Sequence, residues 1–290
     1  MLREDAPQVC ASNHRWFKSF IRGLWGSFEG AAYEEFDLET HVVEPFQIPL
    51  EFERFQSMDH GAANPTAWLA WAVDYDGNLI VFDTYYSPGL VSAHAAEIKR
   101  RQENGWLRPD TQRGGLEEQL CYADPSIKAS HGLTSRRGVP ASVWTEYIEH
   151  DIDHLVAANN DRAAGYARLL ELIHPDPGRP FPNWHSKSGQ QGAPRLFVFK
   201  TCEQVVAQLQ SAPIATDGHD AGEAVDPNWE GAHGHAHAAL RYGALSRPAP
   251  SPTPEADPID WRSLELGRLI AERDERVADS AVSPERYVNV

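Results

Sequence analysis

Two aspartates, each at the end of an apolar segment, are the residues of this sequence best placed to do chemistry. Asp59 follows the segment FERFQSM, and Asp124 follows LEEQLCYA. Two carboxylates at the ends of neighbouring buried strands can hold Mg²⁺ or Mn²⁺, because these cations prefer oxygen ligands. Such a pair is the core of two-metal phosphodiester hydrolysis. A single aspartate in this position more often begins a turn, so the interpretation depends on the fold that brings the two together.

The pattern of apolar residues predicts an α/β fold. We predict strands at residues 52–61, 66–75, 79–86, 116–126, 153–160 and 196–199, with a hairpin turn at Asp76-Gly77. We predict helices at residues 90–102, 142–151, 161–174, 202–212 and 233–246. Three strands, then helix, strand, helix and strand, is the order of an RNase-H-like mixed sheet flanked by helices. In that fold the first strand pairs with the second and the fourth, which would place Asp59 beside Asp124.

Length and composition predict one folded domain with extensions. At 290 residues and 41% hydrophobic, the chain can bury one large core. We expect an N-terminal arm or linker at residues 1–50, the domain at 51–245, and a proline-rich linker with a flexible, mobile tail at 246–290. No apolar segment approaches the ~20 residues that cross a bilayer. Since no apolar signal peptide is visible either, we expect no membrane partner, no secretion and a cytoplasmic location.

The formal net charge of -16 is unusual for a protein that handles DNA. Nonspecific DNA affinity comes mainly from lysine and arginine side chains that neutralise phosphates. A locally positive cleft on an acidic molecule remains compatible with this charge. We therefore expect weak DNA binding by the isolated chain and dependence on partners.

Several motifs, in order, resemble the nuclease region of the large terminase subunit of tailed bacteriophages. They are GLWGSFEGAAYEEFD, HVVEPFQIP, SMDHGAANPTAWLAWAVDYDGNLIVFDTYY, YADPS and VAANNDRAAGY. The resemblance implies a domain that cuts concatemeric double-stranded DNA during headful packaging, with a suspected two-metal site of Mg²⁺ or Mn²⁺. In the family, the acids that match Asp59 and Asp124 are metal ligands. It also implies four partners in the host cell cytoplasm: an ATPase motor half, the small terminase subunit, the portal and the procapsid.

The sequence departs from the family pattern in two places. It has no GxxxxGK(S/T) phosphate loop, so we expect only the nuclease half, as a fragment or a separately encoded part. The family motif HAxDALRY, whose aspartate is the third metal-binding acid, reads HAHAALRY here and places Ala238 at that position. His235 lies three residues earlier on the same helix face and is a candidate metal ligand and catalytic residue.

What replaces the third acid stays open at the level of sequence. His235 or His237 would supply an imidazole, which suits Mn²⁺ better than Mg²⁺. The loop acids Asp220, Asp226 and Glu230 are alternatives, and the third acid can also be lost without replacement. In that last case the chain would be a catalytically weak docking module between the motor and the portal or procapsid. A zinc site formed by the HxHxH run alone is not expected, because side chains two positions apart on a helix point in different directions.

Overall fold

The computed structural model describes residues 31–246, apart from 62–63, 104–119, 131, 133–137, 139, 217–220 and 223. The strands are β1 (Val42–Val43), β2 (Glu53–Asp59), β3 (Thr66–Val73), β4 (Leu79–Ser87), β5 (Cys121–Ala123), β6 (Leu155–Ala157), β7 (Asp176–Pro180), β8 (Gln191–Ala193) and β9 (Leu196–Phe199). The helices are α1 (Leu38–His41), α2 (Val91–Arg101), α3 (Val143–Glu149), α4 (Arg162–Ile173), α5 (Glu203–Ser211), α6 (Pro227–His233) and α7 (His235–Leu245). A 3₁₀ helix, Pro125–Lys128, follows β5.

Seven strands form one mixed sheet in the order β1-β9-β4-β3-β2-β5-β6. β3 is antiparallel to β2 and β4, whereas β5 pairs in parallel with β2 and β6. β9 is parallel to β4, and β1 is parallel to β9. The central position of β2, between β3 and β5, confirms the RNase-H-like fold predicted from the order of elements. β7 and β8 form a separate two-stranded sheet.

One face of the sheet is covered by α7, which packs across β2, β3 and β5 and is flanked by α4 and α5. Phe55 and Trp71 stack beneath it with ring centroids 5.3 Å apart. Gly243 permits this close approach, because a Cβ atom there would lie 2.5 Å from the Trp71 ring. The closeness of α7 to β2 is what brings its first turn to the end of that strand.

The opposite face is covered by α2 and α3, and it buries Met58, Trp68, Ile98 and Tyr147. Because successive side chains of a strand alternate between faces, Met58 points to this side and Asp59 points toward α7. His60 also lies on the α2–α3 side, where its Nδ1 atom is 3.2 Å from the Tyr147 hydroxyl. The two described cysteines, Cys121 and Cys202, are buried and form no disulfide bond.

The folded unit begins earlier than the sequence indicated. Residues 31–50, which we assigned to an arm, belong to the same compact unit as the sheet. β1 extends the sheet at its edge, and Tyr33 is 2% exposed in the core. A two-residue strand is too short to produce an alternating pattern, which is why the segment resembled a linker. Residues 1–30 of the predicted arm and 247–290 of the predicted tail lie outside the described residues.

The last predicted helix, 233–246, is confirmed as α7, and a short helix that was not predicted, α6, meets it at a corner. α6 ends at His233, Gly234 forms the turn, and α7 begins at His235. The glycine is required there, because a Cβ atom would lie 2.7 Å from the Trp229 ring. This corner sets the direction of the first turn of α7. In the described part of the chain, no helix is long and apolar enough to cross a membrane.

Candidate active site

Asp59 and Asp124 lie at the carboxyl ends of neighbouring parallel strands. The last paired residues of β2 and β5 are Met58 and Ala123, and the two aspartates are the next residue of each strand segment. Their side chains therefore belong to the same face of the sheet, the face covered by α7. Asp59 is buried, whereas Asp124 is partly exposed and accepts a hydrogen bond of 2.8 Å from the backbone N–H of Ser126. The arrangement of the pair agrees with the prediction from strand order.

The environment of Asp59 disfavours its charged form. Burial raises the pKa of its carboxyl group, and the negative charges of Asp124 and Glu230 act in the same direction. The hydrogen bond and charge of His235 oppose this effect without cancelling it. A divalent cation would relieve this electrostatic cost, because it would neutralise the buried carboxylate.

His235 is the residue of α7 that contacts the pair. Its Nδ1 atom lies 2.8 Å from Oδ2 of Asp59, and the residue is 6% exposed. The Nε2 atom is buried and has no hydrogen-bond partner among the described residues. When Nδ1 carries the proton and donates to Asp59, Nε2 keeps a lone pair. This is the tautomer in which a carboxylate orients an imidazole that acts through its other nitrogen.

A buried cluster of ionisable residues surrounds His237, on the side of the first turn of α7 opposite to His235. Glu230 accepts hydrogen bonds from Nε of Arg241 at 3.2 Å and from Nε of Arg162 at 3.2 Å, and its Oε1 atom is 2.9 Å from Nδ1 of His237. Burial alone would raise the pKa of Glu230, but the hydrogen bonds and charges of His237 and Arg241 lower it to about 2. Glu230 is therefore a buried carboxylate that is compensated by its partners.

Tyr33 completes this cluster from a distant part of the sequence. Its hydroxyl lies 2.6 Å from Nε2 of His237, and burial raises the pKa of the phenol. The contact joins residues that are 204 positions apart. Sequence reasoning had no signal for it, since neither residue belongs to a spacing motif with the other.

Solved structures that resemble this chain include phage large terminases. The large terminase of a thermophilic bacteriophage, in crystal form 3, is 18% identical with a TM-score of 0.51, and the match covers 85% of this chain and 52% of that chain. Crystal form 2 of the same protein is 17% identical with a TM-score of 0.51, and the match covers 77% of this chain and 46% of that chain. The P22 large terminase nuclease domain is 16% identical with a TM-score of 0.49, and the match covers 76% of this chain and 93% of that chain. No protein-family model and no curated protein sequence matches the chain.

The chain has a fold found in phage large terminases. It spans about half the length of the thermophilic-phage terminase chains that it matches, 52% and 46% in the two crystal forms. The expected likeness to large terminases is thus confirmed at the level of fold.

Ala238, which the resemblance to large terminases places at the position of the third acid, is surrounded by apolar contacts. It is 4% exposed and packs with Ala158, the residue after β6, and with Tyr242 of its own helix. Tyr242 is close enough to both aspartates for their charges, after burial, to raise the pKa of its phenol. Position 238 is thus lined by the methyl group of Ala158 and the protonated phenol of Tyr242.

The alternatives for the third acid have different surroundings. His237 points to Tyr33 and Glu230, and Glu230 is held by that histidine and two arginines. Asp226 caps α6 by accepting a hydrogen bond of 2.8 Å from the Asn228 N–H. Asp220 lies outside the described residues. Among the described alternatives, His235 is the one whose side chain is hydrogen-bonded to a strand-end aspartate.

The residues present fit a hard divalent cation only in part. Two carboxylates supply the oxygen ligands that Mg²⁺ and Mn²⁺ prefer, and a bound cation would offset the cost of burying the Asp59 charge. However, no group of three or more His, Cys, Asp or Glu side chains in the described residues is arranged to hold a metal ion. The site as folded therefore offers two ligands and an imidazole whose Nδ1 is already engaged by one of them.

Proposed function

We propose that this chain is the nuclease part of a phage DNA-packaging terminase and hydrolyses phosphodiester bonds of concatemeric double-stranded DNA. The observation that supports the proposal most directly is the placement of Asp59 and Asp124 at adjacent parallel strand ends, on one face of an RNase-H-like sheet. The contact of His235 with Asp59 adds a third polar group at the same place.

In this proposal each residue has a defined role. Asp59 and Asp124 would hold Mg²⁺ or Mn²⁺, which when bound supplies activation of water and neutralisation of the leaving oxygen. His235 fixes the orientation of Asp59 through the 2.8 Å contact. The buried Tyr242 phenol stays protonated, because burial and the two aspartates raise its pKa, and so adds no further negative charge.

The proposed partners follow from the same assignment. They are double-stranded DNA, the ATPase motor half and small subunit of the terminase, and the portal of the procapsid, all in the host cell cytoplasm. The net charge of -16 supports dependence on such partners, because the chain as a whole repels the phosphate backbone.

Cleavage of supercoiled plasmid tests the proposal. We expect the wild type to produce open-circular and linear DNA with Mn²⁺ or Mg²⁺ and none with EDTA. Asp59→Asn and Asp124→Asn should each lower the rate by at least about 100-fold, since each removes one of two charged ligands. Isothermal titration with Mn²⁺ should show weaker binding for both variants.

Asp76→Asn is the matched control, because Asp76 is an exposed aspartate in the β3–β4 turn at the other end of the sheet. It should cut at the wild-type rate. Cleavage that persists in EDTA, or at full rate in either strand-end variant, would contradict the assignment.

A docking module without its own cleavage activity is the second candidate function. The observation that favours it is the lack of a third charged ligand around Asp59 and Asp124 in the described residues, together with Ala238 in the motif position. This candidate predicts no cleavage by the wild type, but binding to a portal or procapsid preparation that is unchanged in Asp59→Asn. Cleavage by Ala238→Asp but not by the wild type would show that the missing third carboxylate accounts for the inactivity, since that change adds a carboxylate next to Tyr242.

A further inference from the structure

Residues 31–33 are held between three elements of the folded unit. The Ala32 N–H donates a 2.7 Å hydrogen bond to the carbonyl of Ala212, just after α5. The hydroxyl of Tyr166, on α4, donates to the carbonyl of Ala32 at 3.1 Å. Tyr33 reaches His237, on α7, with its own hydroxyl. This short segment is therefore fixed against α4, the end of α5 and the first turn of α7.

His237 is held at three atoms. Tyr33 contacts its Nε2 atom at 2.6 Å, Glu230 contacts its Nδ1 atom at 2.9 Å, and its backbone N–H donates to Oε1 of Gln208 at 2.8 Å. With both ring nitrogens and the backbone engaged, neither the ring nor the helix turn that carries it can rotate without breaking a buried hydrogen bond.

The charges behind His237 fix this position further. Glu230 is 5% exposed and Arg241 is 3% exposed, so their ion pair is almost completely removed from water. Buried ion pairs contribute little net stability because desolvation offsets the attraction, but breaking one leaves a buried charge without a partner. The cluster therefore penalises alternative arrangements of α6 and α7 more than it stabilises the fold.

The opposite side of the same turn carries the contact to the active site. His235 and His237 are two positions apart, and side chains at that spacing point to different sides of a helix. One side of the turn is anchored by Tyr33, Glu230 and Gln208, and the other presents His235 to Asp59 at 2.8 Å. A shift of the turn on the anchored side would change the His235–Asp59 contact.

We propose that Tyr33, Gln208 and Glu230 are positioning residues that hold the first turn of α7, so that His235 keeps Asp59 oriented for cation binding. This inference rests on the proposed function. It gives residues 31–33 a role at the active site, because a shift of this segment would change the His235–Asp59 contact.

Two conservative variants separate positioning from ordinary packing. Tyr33→Phe keeps the ring and removes only the hydroxyl that contacts His237. Tyr166→Phe is the matched control, because it removes a buried hydroxyl that holds the same segment through Ala32 but does not contact His237. Gln208→Ala, which frees the His237 backbone N–H, is a second variant of the positioning set.

Three quantities are measured on the full chain: melting temperature, Mn²⁺ affinity by isothermal titration, and the ¹⁵N NMR signals of the His235 ring, assigned by their loss in His235→Gln. We expect all three variants to melt at lower temperature. Tyr33→Phe and Gln208→Ala should also weaken Mn²⁺ binding about tenfold and shift the His235 ring signals, as loss of a second-layer contact does at metal sites. Tyr166→Phe should leave both at wild-type values.

Equal effects of Tyr33→Phe and Tyr166→Phe on the His235 signals, or no effect of either, would overturn the positioning role. Failure of the proposed function has a different signature, because the wild type itself would then neither bind Mn²⁺ nor cut DNA. The His235 signals would still decide the positioning role in that case, since they report the Asp59 contact in the absence of any cation.

Discussion

At the scale of the residue, the proposed role of Asp59 comes at a cost to the stability of the fold. Its carboxyl group is buried, its pKa is raised by that burial, and it is hydrogen-bonded to His235. A group whose pKa is higher in the folded than in the unfolded protein stabilises the fold at low pH, and this contribution is lost as the pH rises through the folded pKa. In its ionised form Asp59 is therefore a net cost to the folded state.

We predict that Asp59→Asn raises the melting temperature at pH 7 in the presence of EDTA. The amide keeps the shape and can still accept a hydrogen bond from His235, but it carries no charge to desolvate. Each kcal/mol regained corresponds to about 2–4 °C in a domain of this size. Differential scanning calorimetry measures the change, and the gain should shrink as the pH is lowered, because the wild-type carboxyl then takes up its proton.

Asp124→Asn is the comparison for this stability prediction. Asp124 is partly exposed and caps the 3₁₀ helix through Ser126, so its replacement should lower the melting temperature slightly or leave it unchanged. If Asp59→Asn melts below the wild type in EDTA, the carboxylate is better compensated than its burial indicates.

At the scale of elements, Glu230 joins α6 to α7 and α4 through three partners. We predict that Glu230→Gln lowers the free energy of unfolding at pH 7 by about 3–5 kcal/mol, because it leaves the buried Arg241 without its counter-charge. Glu97→Gln on α2 is the matched control. The pKa of Glu97 is also lowered to about 2, by Arg100 and Arg101, but those pairs face solvent and should be worth about 0–1 kcal/mol.

The same residue gives a pH prediction whose sign is opposite to that of Asp59. The folded pKa of Glu230, about 2, lies below the ordinary value of 4.5. Its contribution to stability is therefore fully present above about pH 5 and is lost as the pH falls toward 2. Urea unfolding at pH 7, 5, 4 and 3 should show a steeper loss for the wild type than for Glu230→Gln. Parallel pH profiles for the two proteins would contradict this account.

The elements that sequence predicted well are those with a long pattern. β2, β3, β4, α2 and α4 each carry a sustained alternation or helical spacing, and the position of Asp59 and Asp124 followed from their order. The α6–α7 corner was missed because α6 was not predicted: its sequence, PNWEGAH, has one large apolar side chain and shows no helical spacing. β1 and the cluster around Glu230 were beyond prediction, since two residues show no periodicity and a contact such as Tyr33–His237 depends on the completed fold.

On the scale of the whole molecule, net charge and local charge act in opposite directions on DNA binding. The net charge of -16 repels phosphates at a distance, but salt screens that repulsion beyond about 10 Å at 0.1 M. Under the proposed function, cationic side chains close to the proposed cleavage site can therefore still bind DNA. Lys128 is placed for such a contact: it is exposed, ends the 3₁₀ helix that begins directly after Asp124, and lies 4.2 Å from the centre of the Trp144 ring.

We predict that nonspecific DNA binding is weak and falls steeply with salt, and that Lys128→Gln weakens it uniformly across sequences. Each lost phosphate contact should reduce the slope of log K against log salt by about 1. Lys99→Gln is the matched control, because Lys99 already pairs with Asp151 and lies on α2 rather than on the 3₁₀ helix that follows Asp124. Fluorescence anisotropy with two duplexes of unrelated sequence, from 50 to 200 mM salt, measures both slopes. A reduced slope for Lys99→Gln but not for Lys128→Gln would place the bound DNA at α2 and not beside Asp124, which would contradict a cleavage site at the ends of β2 and β5.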